Sequence, residues 1–571
     1  MSAGPAQAPR RRVHGAAIVA GLALVLTSCA SLPRTGPVET SEPRPPAAQA
    51  ATFYAGGPRD GATPEEIVRG FLGAQAAGYA DGFSVAREFL APTVATEWDP
   101  TPQVRVHADS VVPQVTTSAD GAVTVTADLT ATVDARGDYT EAERGTRAEL
   151  RFSLARTAAG QWRIVDLPDG VLFSTYFFTT VFVAQPLYFV TPDRSALVPQ
   201  LRWFPRGNVA TTAVDALLAG PGAPLDQVVL TELPAGLRRR TETVDIADGI
   251  AEIDVGEELA LLPEPQRSLA VLQIERTLYS IATVRDVIVS SDAERVEATL
   301  EVSSLSAYPI GANPSVVAVA GGGLSRLRDG SAETIMPAAT LGLDAPNRPA
   351  VGYGAGAHDI AVLDGTTRLV LADTDRGTVS TVLTGEGLAP PSIDRSGWIW
   401  TADGDGRLVA VLRGGQPRTV DAPWLVGRSV RALAVSREGA RLAVISSTEA
   451  ETTVQVAGIL RDPDGTPRAL AGPERIGGTI VDAADLAWVE DVTVAVLGRT
   501  DVNTPQPVVQ LVQVGGVTRR LPLVDSATTI TAGRGDGSLL VGTATGEVWV
   551  RNGAGWRQQY RGGILDPAFP G

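Results

Sequence analysis

The sequence predicts a multidomain chain of α+β and all-β parts, with two successive α+β domains over 60–185 and 186–306 and a C-terminal β-propeller of five or six blades over 314–571. Three observations predict it. Hydrophobic spacing changes from helical to alternating near Val104, and a second succession of helices and strands fills 208–302. From residue 314 onward a unit of strand, polar Gly/Asp turn and strand recurs. A length of 571 residues suits about three or four domains, and 44% hydrophobic content is ample for their cores.

Ahead of the folded parts stands a leader. Arg10, Arg11 and Arg12 precede the uncharged apolar run 15–26 (GAAIVAGLALVL). At 12 residues this run is shorter than the roughly 20 that cross a bilayer, and it has the shape of a signal-peptide core, giving a lipoprotein signal peptide over 1–28. Leu26-Thr27-Ser28-Cys29 resembles the bacterial lipobox, L-x-[AGS]-C, and holds the single cysteine of the chain. An unpaired exposed thiol is a liability in an exported protein, whereas Cys29 stands where lipidation uses it. Two acyl chains there give a stable anchor. Residues 29–59 are then the anchor and a linker, semi-extended because Pro33, Pro37, Pro43, Pro45, Pro46 and Pro58 interrupt it.

Thr63-Pro64-Glu65-Glu66 opens the first folded segment with an N-cap, a first-turn proline and an acid at the third position. Ile67, Phe71, Leu72 and Gln75 follow at helical spacing, and a second short helix is expected over 83–90. Val123, Val125, Ala127, Leu129, Ala131 and Val133 then alternate with polar residues, as do 148–154, and Trp162 begins another strand. Helices followed by a curved antiparallel sheet resemble the NTF2-like cone. His107 is its lone candidate acid or base, and inside an alternating strand it reads as a packed or solvated side chain.

In the second segment Asn208 is expected to cap a helix over 209–218 that Gly220-Pro221-Gly222 ends. Strands are expected at 243–246, 250–255, 284–289 and 296–302, with an amphipathic helix over 265–281. The order LLAGP, LPAGL, LQIERTLYSI, VRDVIVS resembles the GerMN domain of bacterial envelope and spore-germination proteins, which carries no known catalysis. Arg238-Arg239-Arg240, the one tight basic cluster of the folded segments, reads as a solvated turn in preference to an anion grip.

In the third segment, repeats start at Asp359, Ser392, Ala432, Asp485 and Ile530, spaced by 33, 40, 53 and 45 residues, close to a four-stranded blade. Asp403-Gly404-Asp405-Gly406 and Asp462-Pro463-Asp464-Gly465 offer oxygen ligands but lack the continuation of a calcium loop, so both read as turns. Gly533 to Gly537 lacks the strand–helix setting of a dinucleotide loop, and His358-Asp359 comes without a nucleophile elbow. Trp398, Trp400, Trp424, Trp488, Trp549 and Trp556 are expected mostly between blades.

Composition narrows the function. One cysteine and three histidines cannot build a disulfide framework or a cysteine- or histidine-rich metal centre, and all 48 basic residues are arginine. Without lysine there is no Walker A loop, Schiff base or Ser–Lys dyad. A net charge of −16 without a dense basic block in the body of the chain argues against a nucleic-acid partner, and none is expected. The expectation is therefore a non-enzyme with no catalytic residue, metal or cofactor, and with Cys29 as the one site, a lipidation site.

Together, the lipobox with its CASLPRTGPVE start, the NTF2-like region, the GerMN-like domain and the propeller resemble the LpqB family of actinobacterial lipoproteins along essentially the whole chain. The resemblance implies a protein anchored by its N-terminal lipid at the outer face of the cytoplasmic membrane. Its implied partner is the extracellular domain of a sensor histidine kinase of the MtrAB two-component type, with effects on envelope homeostasis and division. Two rival classes stay open. A secreted, carboxylate-based propeller enzyme would bring three or more acids together in the central channel, and a cell-wall glycan-binding protein would show a groove of exposed tryptophans.

Overall fold

The computed structural model describes Gly4, residues 55–119, 121–300, Leu305 and residues 315–570. Those from Ala55 onward belong to one compact unit, Gln49–Gly571.

The first domain is α+β. Its helix Pro64–Gln75 starts with the expected capping box: Thr63 Oγ1 accepts from Glu66 N at 3.3 Å, and Glu66 Oε2 accepts from Thr63 N at 2.8 Å. The face carrying Ile67, Val68 and Phe71 is buried against a seven-stranded sheet whose longest strand, Val123–Asp134, alternates as its sequence does. The helix expected over 83–90 is shorter, Ser84–Arg87, preceded by a turn of helix at Gly78–Asp81. Phe83 takes a left-handed φ of 61° just before it, and beyond Arg87 the chain passes into i→i+3 turns, Phe89 N to Ala86 O and Leu90 N to Arg87 O.

A hairpin joins this domain to the next. Phe182–Val190 pairs without a break with Leu197–Pro205, and the expected boundary at 185/186 lies inside its first strand. Phe182 and Trp203 belong to the first core, while Leu187, Phe189, Val198 and Phe204 belong to the second.

In the second domain Val209–Leu218 and Glu264–Tyr279 form the two helices. Asn208 precedes the first helix, but its side chain makes no capping bond, since a 3₁₀ turn, Arg206–Asn208, already leads into it. Ile250–Val255 pairs in parallel with Asp286–Ser291, and the longer helix makes the crossover. The strand expected at 296–302 does not form over its described residues. The sheet ends at Glu294–Arg295, because Thr299 N then donates to Ser268 Oγ at 2.9 Å and draws the chain to the helix.

The propeller consists of six four-stranded sheets, the upper of the two numbers expected. Its inner strands are Pro346–Val351, Ser392–Ile393, Ser429–Val435, Asp482–Glu490, Ala527–Thr531 and, in blade one, Ile564–Ala568. The ring closes there, where the C-terminal strand pairs with Val316–Ala320 and completes the first blade. The uneven repeat follows from strand lengths. The 53-residue interval from Ala432 covers blade four, whose outer strands Thr452–Arg461 and Pro467–Ile476 have 10 residues each.

Blades four and five hold both α+β domains. Trp203 N donates to Gly137 O at 2.8 Å, and its indole Nε1 donates to Gly515 O in blade five at 2.9 Å. Gly137 must be glycine: its φ is +82°, and a Cβ would lie 2.8 Å from Trp203 O. A Cβ at Gly458 of blade four would lie 2.4 Å from Val228 Cγ2, so the second domain is seated directly on that strand.

Candidate functional site

Two polar cavities are candidates, one on the propeller axis and one where the three domains meet. On the axis, Arg348 projects from the inner strand of blade two. Its Nη1 lies 2.7 Å from Asp485 Oδ2. Its backbone N donates to Asp566 Oδ2 at 3.0 Å, and Ile530 N donates to Asp485 Oδ2 at 2.8 Å. Burial raises the Asp485 carboxyl above the usual carboxylate range, whereas Asp485 and then Asp566 raise Arg348, so the guanidinium is the firmly charged member. The remaining space is about 90 Å³, enough for water but well below the few hundred Å³ of a ligand site. Two carboxylates, Asp485 and Asp566, line this cavity, and one arginine stands between them.

At the junction, the turn at Asp138 of the first domain, the hairpin strand with Gln200 and Leu201, and blade four with Arg441 and Glu474 converge around a cavity of about 450 Å³, and Arg202 stands behind Asp138. Arg202 is fully buried, with its Nε 3.2 Å from Asp138 Oδ1 and its Nη2 donating to Gln200 Oε1 at 3.1 Å. Its Nε and Nη1 make no well-formed hydrogen bond. Arg441, also buried, donates from Nε to Glu438 Oε1 at 2.8 Å and from Nη1 to Pro199 O at 3.2 Å, with its guanidinium 5.1 Å from the Trp488 ring. Glu474 differs: burial and then the negative charge of Asp138 push it up to about 7, and only Arg441 opposes them. Burial likewise raises Asp138, against the pull of Arg202.

The residues singled out in the sequence fall mostly elsewhere. Cys29 and the leader lie outside the described residues. His107 sits at a β-bulge with its Nδ1 3.0 Å from Ala108 O. The arginine cluster is more than a solvated turn. Arg239 grips Asp215 through two bonds of 2.7 Å, and Arg240 lies 2.8 Å from Asp292, because neighbouring carboxylates of the same domain meet them. In the Asp403–Gly406 turn, Arg407 lies 3.5 Å from Asp403 and 2.8 Å from Asp405, filling the place a cation would take. Among the described residues, one group has metal-ligand proximity, His358, Asp359 and Asp373, and Arg413 bridges its two carboxylates. Arg413 and Arg376 hold Asp373 well below the usual carboxylate range. All nine tryptophans are described and none is exposed: Trp398, Trp400 and Trp488 are buried, and Trp424, Trp549 and Trp556 half-buried.

Arg348, Asp485, Asp566, Asp138, Arg202 and Glu474 were not singled out in the sequence. A charge embedded in an apolar strand, as Arg202 in VPQLRWFP, was a usable signal, since such a charge must find a partner inside. Glu474, near a glycine and a proline in AGPERI, gave none.

Among the described residues no helix is long and apolar enough to cross a membrane. Residues 57–179 match the family described as Lipoprotein LpqB, N-terminal domain; 186–297 match Sporulation and spore germination; 322–570 match Lipoprotein LpqB beta-propeller domain. A protein of Bifidobacterium longum named Lipoprotein LpqB is 29% identical over 81% of this chain and 82% of its own length. One of Cutibacterium acnes with the same name is 28% identical over 87% and 88%. One of Streptomyces avermitilis, again so named, is 26% identical over 98% and 99%. With the two LpqB-specific domains flanking the germination-type domain, and relatives of that name matched along most of their length, the chain belongs to the LpqB family of lipoproteins.

Proposed function

We propose that the protein is anchored through Cys29 at the outer face of the cytoplasmic membrane and acts as a binding and regulatory accessory of a sensor histidine kinase of the MtrAB type, influencing envelope homeostasis and division. The observation that carries this reading is the LpqB succession of three domains behind a lipobox. A lipid anchor confines the protein to the plane of its partner and raises its effective concentration, so a modest interface suffices. Signalling changes only if binding favours one kinase conformation over another. The propeller axis supports binding over catalysis, since its arginine is committed to both carboxylates that face it. The buried and half-buried tryptophans give no support to a glycan groove.

The test uses the full chain, because removing the propeller would uncover Trp203, Val228 and Pro224. Membranes carrying the parent chain or Cys29→Ala are fractionated, and the kinase is captured from each. Kinase recovered with the parent and lost with Cys29→Ala is the expected result. A Cys29→Ala protein as membrane-bound as the parent, or no kinase recovered with either, overturns the proposal.

A further inference from the structure

Most of the polar groups around the junction cavity are already used. Gln200 Oε1 accepts from Gly222 N at 2.9 Å and from Arg202, and its Nε2 donates to Ala223 O at 3.3 Å. Asp138 is paired with Arg202, and Asp134 Oδ1 accepts from Arg136 N and Asp138 N at 2.9 Å each. Arg441 is held by Glu438 and by backbone carbonyls. The Glu474 carboxylate has no hydrogen bond or ion pair among the described residues, and it faces the open cavity with the charge of Asp138 near it. With no donor among the described residues, this half-buried carboxylate is left to whatever enters the cavity. The volume of about 450 Å³ lies within the range of small-molecule sites and far exceeds the shell of a single ion, and Leu201, Pro224 and Pro473 give it apolar walls.

We propose that the junction cavity binds a small organic cation, an amine or guanidinium group, whose N–H donors meet Glu474 and Asp138 while its carbon frame lies on Leu201 and Pro224. The cation is either a free amine or the side chain of an arginine or lysine on another protein; the recognising chemistry is the same. This inference does not rest on the kinase reading. Because walls of all three domains would contact it, the ligand also ties the first two domains to the propeller, and binding adds to their joint stability. Ionised Glu474 is the form that binds. The charged groups facing it are Asp134, Asp138 and Arg136 on the first domain, Arg202 behind Asp138, and Arg441 on blade four. Binding is therefore expected to weaken as pH falls through about 7.

The test is calorimetric titration of the full-length protein in detergent at pH 8 with agmatine, with an Ac-Gly-Arg-Gly amide, and with glutarate and pentanediol as controls. At least one of the two cations is expected to bind and neither control. Agmatine alone assigns the site to a free amine, and the peptide alone assigns it to a protein side chain. Glu474→Gln, which keeps the shape and removes the charge, is expected to weaken binding roughly tenfold or more. The remote Asp403→Asn is expected to leave it unchanged. No heat with either cation up to ~10 mM, binding unaltered by Glu474→Gln, or parent affinity no lower at pH 5.5 than at pH 8 would each overturn the proposal.

Discussion

At the propeller axis a guanidinium stands between two carboxylates; at the three-domain junction a carboxylate stands with no donor among the described residues. Both places are partly buried and polar, and both draw their groups from distant parts of the chain. On the axis, Arg348, Asp485 and Asp566 complete one another, and about 90 Å³ remains. Such a set fastens blades two, five and one together, with its one arginine committed to both carboxylates. At the junction, Asp138 and Arg202 form an ion pair while Glu474 faces an open cavity. The difference separates charge that holds a fold from charge that is free to bind.

The comparison can be broken most severely on the axis. Arg348→Ala leaves the buried Asp485 without its counter-charge, and removing one partner of a buried pair costs about 3–5 kcal/mol. Urea unfolding followed by tryptophan fluorescence should show a loss of that order; a loss below about 1 kcal/mol would mean that the axis set does not fasten the ring.

The junction should respond more weakly and with the opposite sign. Glu474 is raised in the folded protein from 4.5 to about 7, so the folded state holds its proton more tightly than the unfolded chain. The stability this gives is present below about 4.5 and is lost as pH rises through about 7. Above that window Glu474→Gln is expected to stabilise the protein by roughly 1–3 kcal/mol relative to the parent, with the gain shrinking as pH falls. Unfolding midpoints of both proteins from pH 5 to pH 8.5 check this, and a difference that stays flat with pH would remove Glu474 as the unpaired charge.

The parts of the molecule differ in how far they could be read from the sequence. The capping box at Thr63, the alternation along Val123–Asp134 and the helix Val209–Leu218 were legible because local spacing and end signals decide them. The repeat of strand and Gly/Asp turn disclosed the propeller, but the ring closure through Ile564–Ala568 depends on two ends of the domain meeting, which no local pattern encodes. The strand expected at 296–302 failed for a similar reason: alternation was present, yet Thr299 found partners on a helix. The junction was the least legible. Asp138, Arg202 and Glu474 lie in three separate domains, and their meeting follows from how a hairpin and two blades pack. Arg239 was misjudged because Asp215, which receives it, lies 24 residues earlier on a helix.

The proposed action is binding to a kinase in the protein's own membrane, not chemistry on the propeller axis. The direct measurement is autophosphorylation of the kinase reconstituted in vesicles with the lipidated full-length protein, with Cys29→Ala, or with Asp566→Asn. Asparagine tolerates the left-handed φ of 47° at that position, so this last variant alters the axis while leaving its backbone in place. The lipidated parent and Asp566→Asn are expected to change kinase output alike, and Cys29→Ala is expected to leave it unchanged. Output indifferent to the lipidated protein, or an effect abolished by Asp566→Asn in a protein that remains folded, would contradict it.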